Sequence, residues 1–359
     1  MAETTDIIVI GGGIAGTSVA ARLAPHASVT LLEAEEALAY HASGRSAALY
    51  ESNYGLTTTV ALSKASADYF KQFGLLSDRG LLIAARAEER EQFEADTAML
   101  KLEQISPAEA LEMIPVLDAA QVAHASFHAA AWDIDTDRMV QDFARELRKH
   151  GGSLHTKARV TAITGSAGAW EVQTEAGTYK AALIVNAAGA WVDELAKLAG
   201  VAPLGFTPLR RSMARIPAPG GHDVSRWPMF FGVGESWYAK PDAGSLIVSP
   251  AEEDPMPPMD AWADDMVLAE GLARYEALVT EPVTRIEANW AGLRTFSPDR
   301  HLTIGHATDN SGFFWHAGQG GYGFQTAPAA SQLAADLILG RAPEFDADTV
   351  AALSPERFA

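Results

Sequence analysis

Cysteine is absent from this 359-residue sequence. That absence excludes disulfides, iron–sulfur clusters, cysteine-ligated zinc, thiol nucleophiles and any cofactor tethered through sulfur. Positive charge is also scarce, with 27 Lys and Arg against 46 Asp and Glu and a net charge of −19. Nucleic acids and anionic membrane surfaces both reward clustered Lys and Arg, so neither is an expected partner. No apolar run reaches the roughly 18–20 residues that a membrane span requires. The first residues, MAETTDIIVIGGG, carry acids where a signal peptide carries Lys or Arg. The expectation is therefore a cytoplasmic, unprocessed chain with no integral membrane segment. A 48% hydrophobic content supplies an ordinary globular core, and at about 150 residues per domain the length suits two domains.

What the sequence does have is glycine in organised places. Ile7 to Ile10 is a β-branched run suited to a strand buried on both faces. Gly11-Gly12-Gly13-Ile14-Ala15-Gly16 follows at once and opens a small-residue helix, Ile14 to Ala24. This is G-x-G-x-x-G in its required context. Gly11 permits the tight turn, Gly13 lets the backbone approach a pyrophosphate, and Gly16 lets helix and strand pack closely. The exposed N–H groups and positive end of the helix at Ile14 and Ala15 suit phosphate. Ser28 to Leu32 reads as the second strand, and Glu33 at its end is placed to accept from ribose hydroxyls. An acid there disfavours a 2′-phosphate, so NADP is a poor candidate.

Further along, helices are expected over Thr58–Phe73, Glu88–Glu103, a capped start at Ser106-Pro107, Thr136–His150 behind the Asp135 cap, and Gln325–Leu339. Strands are expected over Gly80–Arg86, Ser153–Thr156, Arg159–Thr164, Ala169–Thr174, Tyr179–Val185, Leu302–Ile304 and Phe313–His316. The stretch from about 204 to 295 is richer in Pro and aromatics. Only Trp237–Lys240 and Ser245–Ser249 read there as strands.

Three segments favour a flavin dinucleotide over NAD. Ala42-Ser43-Gly44-Arg45-Ser46-Ala47-Ala48 supplies hydroxyls, backbone access and a charge suited to a pyrophosphate and ribityl chain. Asn186-Ala187-Ala188-Gly189-Ala190-Trp191 is a strand end with small residues that admit a ring system. Gly318-Gln319-Gly320-Gly321-Tyr322-Gly323 leads into the last helix through Phe324 and Gln325. That helix start can stabilise negative charge on a reduced isoalloxazine.

Together with DIDTD (Asp133–Asp137), RRS (Arg210–Ser212), WYAKPDAG (Trp237–Gly244) and WAGLR (Trp290–Arg294), these motifs resemble the D-amino acid oxidase superfamily. Those are the glycine and sarcosine oxidase-like flavoproteins, and within them the likeness is greatest to bacterial D-arginine dehydrogenases. The resemblance implies an α/β fold, with a Rossmann-like FAD-binding domain assembled from separated segments and an α+β substrate part built on a β-sheet. The implied FAD segments are 1–74, 136–203 and 296–359; the substrate segments are 75–135 and 204–295. FAD is expected to be non-covalent, since a cysteinyl link is excluded by composition and His41 lies before the pyrophosphate segment. The adenine side is expected to meet the backbone of Val160.

By the same resemblance Arg294 holds an amino acid carboxylate, the Gly292 carbonyl takes an amine proton, and Arg211, Tyr54 and Tyr238 complete the clamp. A guanidinium forms two parallel charge-assisted hydrogen bonds to a carboxylate, a geometry that Lys cannot copy. Elsewhere an arginine most often ends in a surface ion pair. The acid that would bind a cationic side chain in D-arginine dehydrogenases is replaced here by Leu81, and Phe231 and Phe324 add apolar bulk beside Gln325. Glu51 can meet a cation from another side. The expected reaction is FAD-dependent oxidative deamination of a D-amino acid of apolar or broad side chain, with an undefined electron acceptor. Oxidation of an N-methyl amino acid or a 2-hydroxyacid is the alternative within the superfamily; a non-catalytic FAD-binding module is the alternative outside it. No metal site is expected.

Overall fold

The computed structural model describes residues 2–359. Its first layer is a six-stranded sheet in the spatial order Ser153–His155, Val29–Leu32, Ile7–Ile10, Leu183–Asn186, Phe313–Ala317, Thr303–His306. The first five strands are parallel and the last is antiparallel to its neighbour. Side chains alternate across a strand, so each one feeds two cores. Ile7, Val9, Leu31, Val185 and Phe314 pack with Val19 and Leu23 of the helix Ile14–Leu23 and Leu333 of the helix Gly323–Ile338. Ile8, Ile10, Leu32, Ile184, Phe313 and Trp315 face the other way. They meet Trp170, Val172 and Tyr179 of a four-stranded sheet, and the helix Val192–Leu198. This two-sided covering explains why the strands read as unbroken apolar runs. Three distant stretches of chain contribute to the sheet, so the mixed α/β, Rossmann-like fold is assembled from separated segments.

The second layer is a nine-stranded sheet. It runs through Asp254–Pro255, Thr207–Ile216, Ser245–Ser249, Tyr238–Asp242, Met229–Phe231, Leu81–Ala85, His124–His128 and Glu103–Ile105, and Ala288–Phe296 pairs with Thr207–Ile216. One face carries Leu82, Ala84, Ala214, Ile216, Phe230, Ala239, Leu246 and Val248 against Leu268, Leu272 and Tyr275 of the helix Asp265–Glu276. Trp237 wedges edge-on between Phe230 and Tyr275, with centroids 5.6 and 5.4 Å away. The opposite face presents Leu81, Ile83, Met213, Met229, Phe231 and Tyr238, and this face roofs the cleft described below.

Most expected elements are present, including the capping box in which Ser106 and Glu109 bond each other's backbone N–H. Three differ. The expected strand Tyr179–Val185 is two strands, Gly177–Ala181 and Leu183–Asn186, in different sheets. The transfer occurs where Ala182 and Leu183 both donate to the Asp6 carbonyl. The expected helix Glu88–Glu103 stops at Leu100, because Lys101 takes a left-handed conformation (φ 56°) and Glu103–Ile105 joins the sheet edge. Within 204–295, the strands Thr207–Ile216 and Ala288–Phe296 and the helix Asp265–Glu276 were not foreseen. Among the described residues no helix is long and apolar enough to cross a membrane, and no cluster of His, Asp and Glu could hold a metal ion.

Candidate active site

Between the two layers lie two adjoining chambers with about 1390 and 1290 Å³ of empty space. They share Gly13, Ala42, Ser43, Arg45, Ala187, Gly189, Gly292 and Leu293, so together they form one long cleft. The end lined by Glu33, Val160, Ala188 and Trp191 belongs to the first sheet. The other end is lined by Arg294, Arg211, Tyr54 and Tyr238 under the second.

The glycine fingerprint is a close-packed device. Gly11 sits at φ +113°, and a Cβ on it would lie 2.3 Å from the Ala187 carbonyl oxygen. A Cβ on Gly16 would lie 1.8 Å from the Gly11 oxygen. Helix Ile14–Leu23 therefore starts directly over the strand ends, with no acid in its first turn and no side-chain cap on Gly13. Ser43 Oγ accepts from Ile14 N at 3.0 Å, which ties the Ala42–Arg45 turn to this helix start. Glu33 is 8% exposed and its carboxylate accepts from Gly12 N at 2.6 Å and Glu35 N at 2.8 Å. Those bonds leave further lone pairs for hydroxyl donors. A long cleft, a close-packed glycine turn, an uncapped helix N-terminus and a pinned acid fit a dinucleotide.

The Ser46–Ala48 segment and Gly320, Gly321, Gly323, Phe324 and Gln325 line the Arg294 end. A Cβ on Gly321 would lie 2.9 Å from an Arg294 nitrogen, so this loop is cut to fit the guanidinium. Three singled-out residues lie off the lining. Gly16 and Gly44 are packing positions, the latter with its missing Cβ 2.2 Å from the Ala39 oxygen. Tyr322 stands behind Tyr54, at a ring distance of 5.2 Å.

Arg45 departs from expectation. Its guanidinium donates to the carbonyls of Ala261 and Ala291 at 2.9 Å and to Asp260 at 2.5 Å, so those donors bind the cleft rim and not a phosphate. Glu51 is likewise engaged: Oε1 accepts from Asn53 N at 2.9 Å, and Oε2 lies 2.5 Å from His128 Nε2. Oε1 is held by Asn53, and the His128 ring stands against Oε2 without a hydrogen bond to it, so it is an imidazole that faces this oxygen.

The strand register explains the remaining group. Arg211 pairs with Gly292 and Leu209 with Arg294, so both guanidiniums leave the same sheet face as diagonal neighbours. Arg211 Nε donates to the Glu252 carbonyl at 3.0 Å and Nη2 reaches Glu253 at 3.4 Å, while Nη1 is buried without a partner. Arg294 makes no hydrogen bond or ion pair to any described residue. Burial opposes its charge, yet Tyr238, Tyr54, Glu235 and Tyr322 together hold its pKa above the usual arginine value. The tyrosines attract it only when ionised, so near neutral pH Glu235 is the sole anion of that set. Tyr54 donates to Glu235 Oε2 at 2.9 Å, and burial pushes its pKa well above 10, which keeps the hydroxyl protonated. Tyr238 O–H has only the Met213 sulfur, 3.7 Å away.

Glu235 was missed from the sequence. It sits on a turn in which Gly234 (φ 61°) and Glu235 (φ 51°) are both left-handed, and Gly234 N donates to buried Asp96 at 2.7 Å. An acid after glycine in a polar stretch reads as a solvent turn, so no local signal marked it. Met213, Met229 and Thr295 also line this chamber, and the Thr295 hydroxyl is buried without a partner.

Such a fold and cleft define a dinucleotide-dependent oxidoreductase architecture with a cationic far end. The chain belongs to the FAD dependent oxidoreductase (DAO) family, whose model matches residues 6–337, and FAD is its cofactor. It is 25% identical to human mitochondrial dimethylglycine dehydrogenase over 99% of this chain, but spans only 44% of that protein. It is 24% identical to glycine oxidase of Geobacillus kaustophilus strain HTA426, covering 96% of each. The crystal structure of glycine oxidase from G. kaustophilus superposes with a TM-score of 0.80 at 23% identity, covering 96% of this chain and 97% of that one. L-proline dehydrogenase from P. horikoshii superposes at 0.84 and 23%, covering 100% and 98%. At such identities the superpositions speak for the fold.

Proposed function

We propose that this chain oxidises the Cα–N bond of an amino acid that is D-configured and carries an apolar side chain. The product imine then hydrolyses to a 2-oxo acid and ammonia. One observation carries the reading: the half-buried Arg294 guanidinium lines the chamber beside Gly321 with no hydrogen bond or ion pair to a described residue, and the orphaned Arg211 Nη1 lies on the same sheet face. Guanidinium nitrogens left without partners are costly, and a substrate carboxylate satisfies Arg294 and the free Nη1 of Arg211 together.

Bound FAD supplies the two-electron acceptor. The residues supply position. Arg294 takes the carboxylate through paired N–H donors, Arg211 Nη1 adds a second contact, and Tyr238 O–H exchanges its weak thioether contact for a carboxylate oxygen. Tyr54 stays protonated and donates to Glu235. Glu235 thus keeps an acceptor oxygen within the chamber, where an amine can lose or share a proton. Leu81, Leu100, Met229 and Phe231 form an apolar wall that excludes water and suits an apolar side chain.

The D configuration rests on the motif resemblance to D-arginine dehydrogenases. An N-methyl amino acid is the second reading, supported by the same clamp and by the name of the human relative. A 2-hydroxyacid would need a base for its hydroxyl, and among the described residues no histidine lines this chamber. His316 is buried elsewhere, its pKa pushed down to about 4 by burial. A non-catalytic module would leave the enclosed arginines without a role.

The test is anaerobic mixing with D- and L-amino acids, N-methyl amino acids and 2-hydroxyacids, following flavin absorbance near ~450 nm. Bleaching by D-amino acids supports the reading, and bleaching by hydroxyacids alone sinks it. Admitting air afterwards reports whether oxygen accepts the electrons.

A further inference from the structure

We infer that His128 is a specificity-determining residue: by occupying Glu51 it bars cationic side chains from the substrate chamber. The inference rests on the amino acid reading above. Strand His124–His128 pairs antiparallel with Leu81–Ala85, and His128 stands directly opposite Leu81. Residues opposite one another in a ladder share a sheet face and lie within contact range. Leu81 lines the chamber wall, so His128 is the next polar group behind that wall.

Glu51 lies in the same corner. It is 3% exposed, yet it lines the chamber. Its Oε1 accepts from Asn53 N at 2.9 Å and Asn53 Nδ2 at 3.3 Å. Its Oε2 lies 2.5 Å from His128 Nε2, a close contact without hydrogen-bond geometry, and neither atom has a hydrogen-bond partner among the described residues. Its backbone N–H donates to Gln325 Oε1 at 3.2 Å, which fixes the residue against the last helix.

A buried carboxylate must be paired. Two groups can approach Glu51 for this, the imidazole already in contact with it or the end group of a bound Lys-like or Arg-like substrate. They compete for one oxygen. With His128 in place the ring stands against Oε2 and a cationic side chain meets Leu81 instead, so neutral apolar side chains are favoured. Removing the imidazole donor exposes Glu51 to the chamber and makes a cationic side chain the group that satisfies it.

The experiment compares the parent holoenzyme with His128→Leu and His128→Ala. D-leucine, D-methionine and D-phenylalanine are set against D-lysine and D-arginine, with kcat/KM taken from anaerobic flavin reduction. FAD content and Tm report folding, and Ala, which also removes the ring nitrogen, serves in case Leu does not fold. The parent is expected to prefer the apolar set. The cationic-to-apolar ratio is expected to rise at least about tenfold in the variants, in line with one strong charge-assisted contact. Adding Glu51→Gln to the His128→Leu background is expected to abolish that gain. A parent that already prefers D-lysine or D-arginine, an unchanged ratio in the variants, or a gain that survives the double substitution overturns the inference. A merely structural histidine would lower both rates without moving their ratio. If the parent flavin is reduced by no amino acid at all, the amino acid reading itself fails, and this inference with it.

Discussion

Replacing Arg294 with Met removes a charged group that the protein itself leaves unsatisfied. The guanidinium makes no hydrogen bond or ion pair to a described residue, and among the groups acting on it only Glu235 is negative near neutral pH. The substrate pays for what the fold does not. A carboxylate held by two charge-assisted hydrogen bonds, each contributing about 1.5–3 kcal/mol, loses about 3–6 kcal/mol. At about 1.4 kcal/mol per tenfold, kcat/KM should fall by about 10²–10⁴. Arg294→Lys keeps the charge but not the fork, and should lose about 10–100-fold. Stability moves the other way. A half-buried cation without a bonded counter-ion adds nothing to the ligand-free state, so Arg294→Met should leave Tm unchanged or raise it by about 2 °C. The assays are anaerobic flavin reduction with the best substrate and thermal unfolding of the substrate-free holoenzyme. Unimpaired kcat/KM, or activity lost together with a clear drop in Tm, would refute the reasoning by making Arg294 dispensable or structural.

Three further outcomes are expected. Tyr238→Phe removes a hydroxyl whose only protein contact is the Met213 sulfur at 3.7 Å; KM should rise about tenfold while stability changes by less than about 0.5 kcal/mol, and an unchanged KM would take Tyr238 out of the clamp. Gly16→Ala places a Cβ 1.8 Å from the Gly11 oxygen, so the fingerprint must shift and FAD affinity should fall at least about tenfold, read from flavin retained after dialysis. His316 is 1% exposed with its pKa pushed down to about 4 by burial. The unfolded chain therefore binds the extra proton first, and stability is lost as pH falls from about 6.5 towards 4, by about 3 kcal/mol. His316→Leu should flatten that part of the Tm–pH profile, and parallel profiles would show that burial is not costing the imidazole its proton.

The first layer was legible because its strands are buried on both faces and its turns need glycine. Ile7–Ile10, the Gly11–Gly16 turn and Glu33 announce themselves within a short window. The second layer was harder to read. Thr207–Ile216 carries Pro208, Arg210 and Arg211, so a strand that alternates faces correctly has no apolar period to show. The helix Asp265–Glu276 did carry a signal, with Asp264 capping Met266 N and Val267 N ahead of Leu268, Leu272 and Tyr275. Gly271 at its middle and the Pro-rich stretch just before it masked that signal. Single residues divided along the same line. Family motifs placed Arg294 and Tyr238 on the chamber lining, but partners set by tertiary contact could not be read from them. Arg45 turned to Asp260, and Glu51 turned to His128. Glu235 entered through a left-handed turn held by Asp96, a residue far off in sequence.

The alternation of the nine-stranded roof separates two kinds of change. Along Leu81–Ala85, Met229–Phe231 and Thr207–Ile216, one parity of positions touches the helical core and the other touches the chamber. Single substitutions at Leu81, Met213, Met229 or Phe231 can therefore reshape what is bound while Leu82, Ala214 and Phe230 keep the sheet anchored. Insertions and deletions have no such freedom. One added residue upstream in any of these strands would carry core side chains into the chamber and chamber side chains into the core. Substrate preference should accordingly diversify in this scaffold through exchanges at fixed length, with changes of length confined to the loops between the strands.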